Sequence, residues 1–278
     1  MLANALIGLR EGLEASLVVS ILVAYLVRTG RRDALRRVWS GVGGAVLLSL
    51  LAGALLTFTA AALSFRAQEV LGGTLSIVAV GCVTWMVFWM KRTSRTLKGQ
   101  LEGRVAVALN AGGAALAVVA FLAVAREGLE TALFLFAAAQ ASGSGPQPIV
   151  GAVLGIGAAV VLAHLLYRRA VTLNLARFFL VSGCLLIVVA AGVLSYGIHD
   201  LQEAAVLPGL SSLAFDVSAA VPPGSWYATL LKGTVNFTPA TTWLQAVAWV
   251  AFFVPVVVLY VRPATPRTAA VLSHATAS

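Results

Sequence analysis

The chain has 278 residues, of which 60% are hydrophobic and 10% charged, and a mean hydropathy of +0.96. This composition excludes a soluble globular domain and leaves no stretch polar enough for a separate soluble unit or a disordered tail. The formal charge of +9 does not point to nucleic acid, because the basic residues fall in short segments between apolar runs instead of on one folded face. The partner implied is the lipid bilayer. Cys82 and Cys184 sit in separate apolar runs and form neither a disulfide framework nor a Cys-x-x-Cys motif.

A membrane-spanning helix needs about 20 apolar residues, and seven runs meet that length: roughly 3–27, 39–63, 69–90, 112–139, 149–167, 178–199 and 242–261. The first has no basic leader and no short apolar stretch ending in a cleavage site, so it reads as a retained helix. Arg28, Arg31, Arg32, Arg36 and Arg37 follow run one; Lys91, Arg92, Arg95, Lys98 and Arg104 follow run three. Arg168, Arg169 and Arg177 follow run five, and Arg262 and Arg267 lie in the tail. The alternate connections hold only Arg66 and Lys232. Positive charge concentrates on the cytoplasmic side of a membrane protein, which predicts an outer N-terminus and a cytoplasmic C-terminus.

The acids run the other way. Asp33 and Glu102 are cytoplasmic, Glu69, Asp200, Glu203 and Asp216 lie at or beyond the outer ends of the runs, and Glu11, Glu14, Glu127 and Glu130 lie within them. Residues 91–111 repeat Leu97, Leu101, Val105 and Ala108 at helical spacing and predict an amphipathic cytoplasmic linker. Ala141 to Pro148 is a short outer turn. The loop 200–241 predicts short surface helices over Leu210–Val221 and Trp226–Leu231, and 263–278 is a short tail.

Arg10-Glu11-Gly12-Leu13-Glu14 recurs without change as Arg126-Glu127-Gly128-Leu129-Glu130. Three charges in five identical residues, twice, in a chain so poor in charge, point to duplication of a three-helix unit. Because three is odd, the second copy enters the membrane upside down. The expected architecture is therefore an all-α integral membrane protein of seven transmembrane helices: repeat one over about 1–91, repeat two over about 112–200, and a seventh helix over about 242–262. Gly81-Cys82 and Gly183-Cys184 are a weaker echo between the third helices, better explained as small-residue packing positions.

On a helix Arg10 and Glu14 are four residues apart and can pair, and Arg126 and Glu130 likewise. Glu11 and Glu127 are then left to bind something, while Gly12 and Gly128 let the two motif helices approach. Each charge costs about 2.5–3.5 kcal/mol at a helix centre, too much for a plug that an apolar core would replace. Clustered carboxylates suit hard cations such as Mg²⁺, Ca²⁺, Mn²⁺ or iron.

The doubled motif resembles that of the oxidase-dependent iron permease family. The likeness extends through Gln68-Glu69, Thr84-Trp-Met-Val-Phe-Trp-Met90, Ala123 to Glu130, Leu173-Asn-Leu175 and Ala214-Phe-Asp-Val-Ser218, and is greatest to the bacterial branch. The resemblance implies import of iron, as substrate and not as a resident cofactor, across a bacterial inner membrane, with Glu11, Glu14, Glu127 and Glu130 as ligands. It also implies a periplasmic iron-binding protein and a haem peroxidase as partners. Two positions depart from the bacterial pattern: Gly72 replaces a Glu, and Gln202-Glu203 replaces a His-Glu pair.

At the outer side Glu69, His199, Asp200, Glu203 and Asp216 are candidates for gathering the cation. His164 reads as an interior histidine, Trp85 and Trp89 as interfacial anchors, and Pro255 as a kink. Two other functions are open to the motif: an intramembrane enzyme using a Glu pair on a lipid-borne substrate, and an anion exchanger using Arg10 and Arg126. The first lacks a Ser, His or Cys placed as nucleophile, and the second conflicts with a net negative site.

Overall fold

The structure is a computed structural model. It describes residues 2–93, 113–142, 147–168, 174–222 and 237–262, together with 99, 103, 105–109, 225, 228 and 231. Each apolar run is a helix: α1 (Leu2–Arg28), α2 (Leu35–Ala61), α3 (Phe65–Thr93), α4 (Gly113–Ser142), α5 (Gln147–Tyr167), α6 (Leu175–Glu203) and α7 (Trp243–Val261). A single 3₁₀ turn, Arg32–Ala34, precedes α2.

The helix ends have identifiable causes. Gly30 adopts φ 74° after α1, which lets Arg31 N–H reach Leu26 O at 2.9 Å and Gly30 N–H reach Val27 O at 3.3 Å, a Schellman stop. Asn174 starts α6 by accepting from Arg177 N–H at 3.1 Å. Thr242 and Gln245 form a reciprocal capping box at the start of α7.

Among the described residues five helices, α2, α3, α5, α6 and α7, are long and apolar enough to cross a membrane. Every 18-residue stretch of α1 and α4 carries at least three charges, which sets those two apart. Their charge is the motif itself. The outward faces of α2 and α5 carry Leu47, Leu50, Leu51, Leu55 and Phe58, and Val153, Leu154, Val160 and Val161. Apolar surface on this scale is suited to lipid. The fold is that of an all-α, multi-pass membrane protein.

The helices pack in crossed pairs: α1 lies against α5, α2 against α4, and α3 against α6, with α1 also touching α4 and α7 resting on α6. Two glycines show how close the first two pairs come. A Cβ on Gly155 of α5 would collide with Ala5 O of α1, and one on Gly41 of α2 would collide with Ala117 O of α4. The largest apolar cluster joins α1, α3, α4 and α6 through Ile7, Val87, Phe134, Ile187 and Val193.

The α7 helix ties down both ends of the α3–α6 pair. Tyr260 donates to Phe179 O at 2.8 Å, and Lys91 donates to Tyr260 O and to Arg262 O. At the other end Gln245 donates to Ser195 O at 3.1 Å, and Thr242 donates to Gln202 Oε1 at 2.9 Å.

One expectation changes. Leu210–Val221 holds strand β1 (Leu213–Asp216) instead of a short helix, paired antiparallel with β2 (Ala240–Thr242). Pairing satisfies the backbone of both short segments where α7 begins, and β-branched Thr241 and Thr242 suit a strand. In the linker, 105–109 is helical, with Val105 and Ala108 buried against Leu22, Leu26 and Val38. Leu97, Leu101, the turn 143–146, most of Trp226–Leu231 and the tail 263–278 lie outside the described residues.

Thr242→Ala removes the cap of α7 together with its bond to Gln202. The expected loss is about 1–2 kcal/mol, read as a melting temperature lowered by a few degrees for the detergent-solubilised protein.

Candidate metal centre

The two motifs meet where α1 and α4 touch. Arg10, Glu11 and Glu14 are buried to within 3% of full exclusion, and Glu127 is 7% exposed. One carboxylate oxygen from each of Glu11, Glu14 and Glu127 lies within 4.8 Å of the others. Among the described residues no other group of three or more His, Cys, Asp or Glu converges in this way. Glu130 stands beside the three, its Oε1 held by Arg126 Nε at 3.0 Å.

The arginines pair less selectively than spacing suggests. Arg10 reaches Glu14 at 3.3 Å, as an i,i+4 pair, and also Glu11 at 3.4 Å. Glu11 is therefore not left clear of its arginine, because the long guanidinium fork spans both neighbours. Arg126 grips Glu130 and stands 3.9 Å from Glu127. Glu11, Glu127 and Glu130 each keep one buried oxygen with no hydrogen-bond partner. Four carboxylates and two guanidiniums carry a formal charge of minus two, and hard oxygen donors in this number suit a divalent cation.

Gly12 and Gly128 serve a different approach from the one expected. A Cβ on Gly12 would meet Ala159 and Ile156 of α5, and one on Gly128 would meet Ser49 of α2. Gly12 thus seats α5 and Gly128 seats α2, and the carboxylates converge where α1 and α4 touch beside those seats.

A cavity of about 880 Å³ leads to this cluster. Glu11 and Glu127 lie on its wall, while Thr57, Gln140 and Pro148 mark its far end at the α4–α5 turn. Ser49 and Thr131 add hydroxyls along an otherwise apolar lining.

The remaining candidates cluster separately or not at all. Glu69, Asp200 and Tyr196 are in hydrogen-bond contact, and His199 Nε2 meets Glu203 Oε1 at 3.2 Å. Tyr196 also lines the cavity. A side chain at Gly72 would come up against Asp200 Oδ2. Gln202 is buried and used structurally, bonded to Thr242 and to Pro208 O at 2.8 Å. Asp216 is exposed on β1, where the Ser218 hydroxyl and N–H hold its carboxyl below the ordinary range. His164 is exposed in the last turn of α5, not interior.

Three contacts escaped the sequence reading. Met86 Sδ accepts from Arg10 at 3.1 Å, the Trp89 ring lies 4.3 Å from the Arg126 guanidinium, and Tyr196 borders the cavity. Trp89 had the look of an interfacial anchor because it precedes Lys91 and Arg92. Nothing in the sequence pairs it with a residue 37 positions away.

Carboxylates gathered between membrane helices and reached through a cavity are the equipment of a cation transporter. The iron permease FTR1 family matches residues 1–265. The chain is 39% identical over 277 residues to the ferrous iron permease EfeU of Escherichia coli O6:H1, covering 99% of each chain. It is also 39% identical, over the same length, to EfeU of Shigella sonnei. Against EfeU of Yersinia pestis it is 37% identical over 273 residues, covering 97% of this chain and 96% of that one. No solved structure matches the chain significantly. The chain thus belongs to the FTR1 iron permease family. It is a transporter whose substrate is iron and not an enzyme, which sets aside the intramembrane enzyme and the anion exchanger.

Arg10→Gln leaves Glu11 and Glu14 buried without a cation. The expected loss is about 3–5 kcal/mol, seen as a large fall in melting temperature in detergent. Arg126→Gln, at a side chain 40% exposed, is expected to cost clearly less.

Proposed function

We propose that the protein imports ferrous iron across a bacterial inner membrane, with Glu11, Glu14, Glu127 and Glu130 as the transport ligands. The observation that carries this reading is the convergence of three carboxylates from two sequence-identical motifs on different helices. Ferrous iron also balances the site: a charge of plus two cancels the formal minus two of four Glu and two Arg. The relatives are named as ferrous permeases, and the inside-negative potential adds about 2.3 kcal/mol per charge per 100 mV in favour of entry.

All seven helices span the membrane in this reading, with the N-terminus outside and the C-terminus in the cytoplasm. Helices α1–α3 and α4–α6 are inverted repeats. The pairing of α1 with α5, α2 with α4 and α3 with α6 supports this, since a two-fold relation exchanges the first pair with the second and returns the third to itself. The cavity then opens outward, and rocking of the repeats about the carboxylates carries iron through. Glu69, His199, Asp200, Glu203 and Asp216 lie on the outer side, where an acidic surface raises the local cation concentration. A periplasmic iron-binding protein and a haem peroxidase are the partners.

Purified protein in liposomes is expected to accumulate radiolabelled Fe²⁺, and Glu127→Gln at matched protein is expected to lower the rate at least tenfold. Uptake of Fe³⁺ but not Fe²⁺, or full activity in the variant, would refute the assignment. For topology, a single cysteine at Ser64 is expected to react with an impermeant maleimide on intact cells, and one at Thr29 only after lysis, with Cys82 and Cys184 replaced. The reverse pattern would invert the orientation.

A further inference from the structure

Both motif arginines are held from outside the carboxylate cluster by one turn of α3. Arg10 donates to Met86 Sδ at 3.1 Å in the core, and the Arg126 guanidinium lies 4.3 Å from the centre of the Trp89 ring. Met86 and Trp89 are three residues apart, so they share a face of their helix. A third helix thus touches both copies of a motif that α1 and α4 carry.

The chemistry of these partners is specific. A thioether is a weak acceptor and an indole face attracts a cation through its quadrupole. Neither is an anion. A guanidinium resting on them keeps a favourable contact in a low-dielectric setting without drawing on carboxylate oxygens. That matters because each arginine also faces carboxylates, at 3.3 and 3.4 Å for Arg10 and at 3.0 and 3.9 Å for Arg126. Any cation bound by these oxygens competes with the guanidiniums for them. Without Met86, the buried Arg10 would have only the carboxylates to turn to, and without Trp89 the half-exposed Arg126 would lose the contact that holds it off them.

We infer that Met86 and Trp89 are positioning residues for iron binding, holding Arg10 and Arg126 in place while leaving the carboxylate oxygens available to the ion. Trp89 has the larger part, because Arg126 lacks the complete burial that confines Arg10. The inference rests on the reading of the motif glutamates as ion ligands and deepens it. It predicts a defect in apparent affinity instead of turnover.

The test is Fe²⁺ uptake into liposomes over a range of concentrations by wild type, Trp89→Leu, Trp89→Phe, Met86→Leu and Glu127→Gln, at matched amounts of folded protein. Trp89→Leu is expected to raise KM about fivefold, the effect of one cation–π contact, with the maximal rate within about twofold of wild type. Trp89→Phe, which keeps an aromatic face, is expected to restore most of the affinity. Met86→Leu keeps the volume and removes the sulfur, and is expected to raise KM in the same direction. A wild-type KM in Trp89→Leu, or a lowered maximal rate alone that Phe does not rescue, overturns the inference while transport stands. If Trp89→Leu does not fold, a wild-type KM in Met86→Leu overturns it equally. Wild type that takes up no iron, or Glu127→Gln that transports normally, overturns the ligand reading and this inference together.

Discussion

Gathering six charges where two helices meet, with Arg10, Glu11, Glu14 and Glu127 buried, is the constraint to which the rest of this molecule answers. Each carries a cost of about 2.5–3.5 kcal/mol near a helix centre, and pairing within each helix offsets only part of it. Arg10 is 1% exposed yet has two carboxylates to serve. Convergence of Glu11, Glu14 and Glu127 adds like-charge repulsion, which a core selected only for cohesion would not contain. The unpartnered oxygens of Glu11 and Glu127 carry the same meaning. In a site built for a transported cation, an incomplete ligand set is what allows the ion to gain on arrival and still leave.

Such a site needs surroundings that do not give way. The Tyr260–Phe179 and Lys91–Tyr260 bonds close one end of the α3–α6 pair, and Gln245–Ser195 and Thr242–Gln202 close the other. The small sheet of β1 and β2 leads directly into the capping box of α7 and so anchors the strap. By contrast α2 and α5 carry broad apolar faces outward and pack on the motif helices through glycine and alanine. Both of these helices contribute to the cavity wall, with α1, α4 and Tyr196 of α6.

The helical elements were legible in the sequence almost to their ends, because lipid exposure makes apolar length a direct signal; the caps at Gly30, Asn174 and Thr242 that set the boundaries came from the structure. The duplicated motif was legible too, since charge is rare enough here for five identical residues to stand out. What stayed hidden depends on packing between segments distant in sequence. Gly12 and Gly128 advertise a close approach without saying to which helix. Gln202 looks like a displaced metal ligand until its bonds to Thr242 and Pro208 are seen. Trp89 shares the composition of an interfacial anchor, and only the crossing of α3 over α4 turns it into a partner for Arg126. The strands at Leu213 and Ala240 were missed because each is too short to have a period of its own.

The two copies of the motif are identical in sequence but not in environment, and that difference must come from their neighbours. Arg10 is sealed between its carboxylates and Met86, whereas the Arg126 side chain is 40% exposed and leans on Trp89. The cavity wall reaches the first glutamate of each motif and neither second one. On the proposed reading of two inverted copies, exchanging the environments of the copies gives a second arrangement of similar contacts facing the other side of the membrane. An arrangement symmetric at the motif would have no second state to visit. On that reading the inequality of Arg10 and Arg126 marks one facing, and the α3 turn that touches both arginines lies where the two environments would change places.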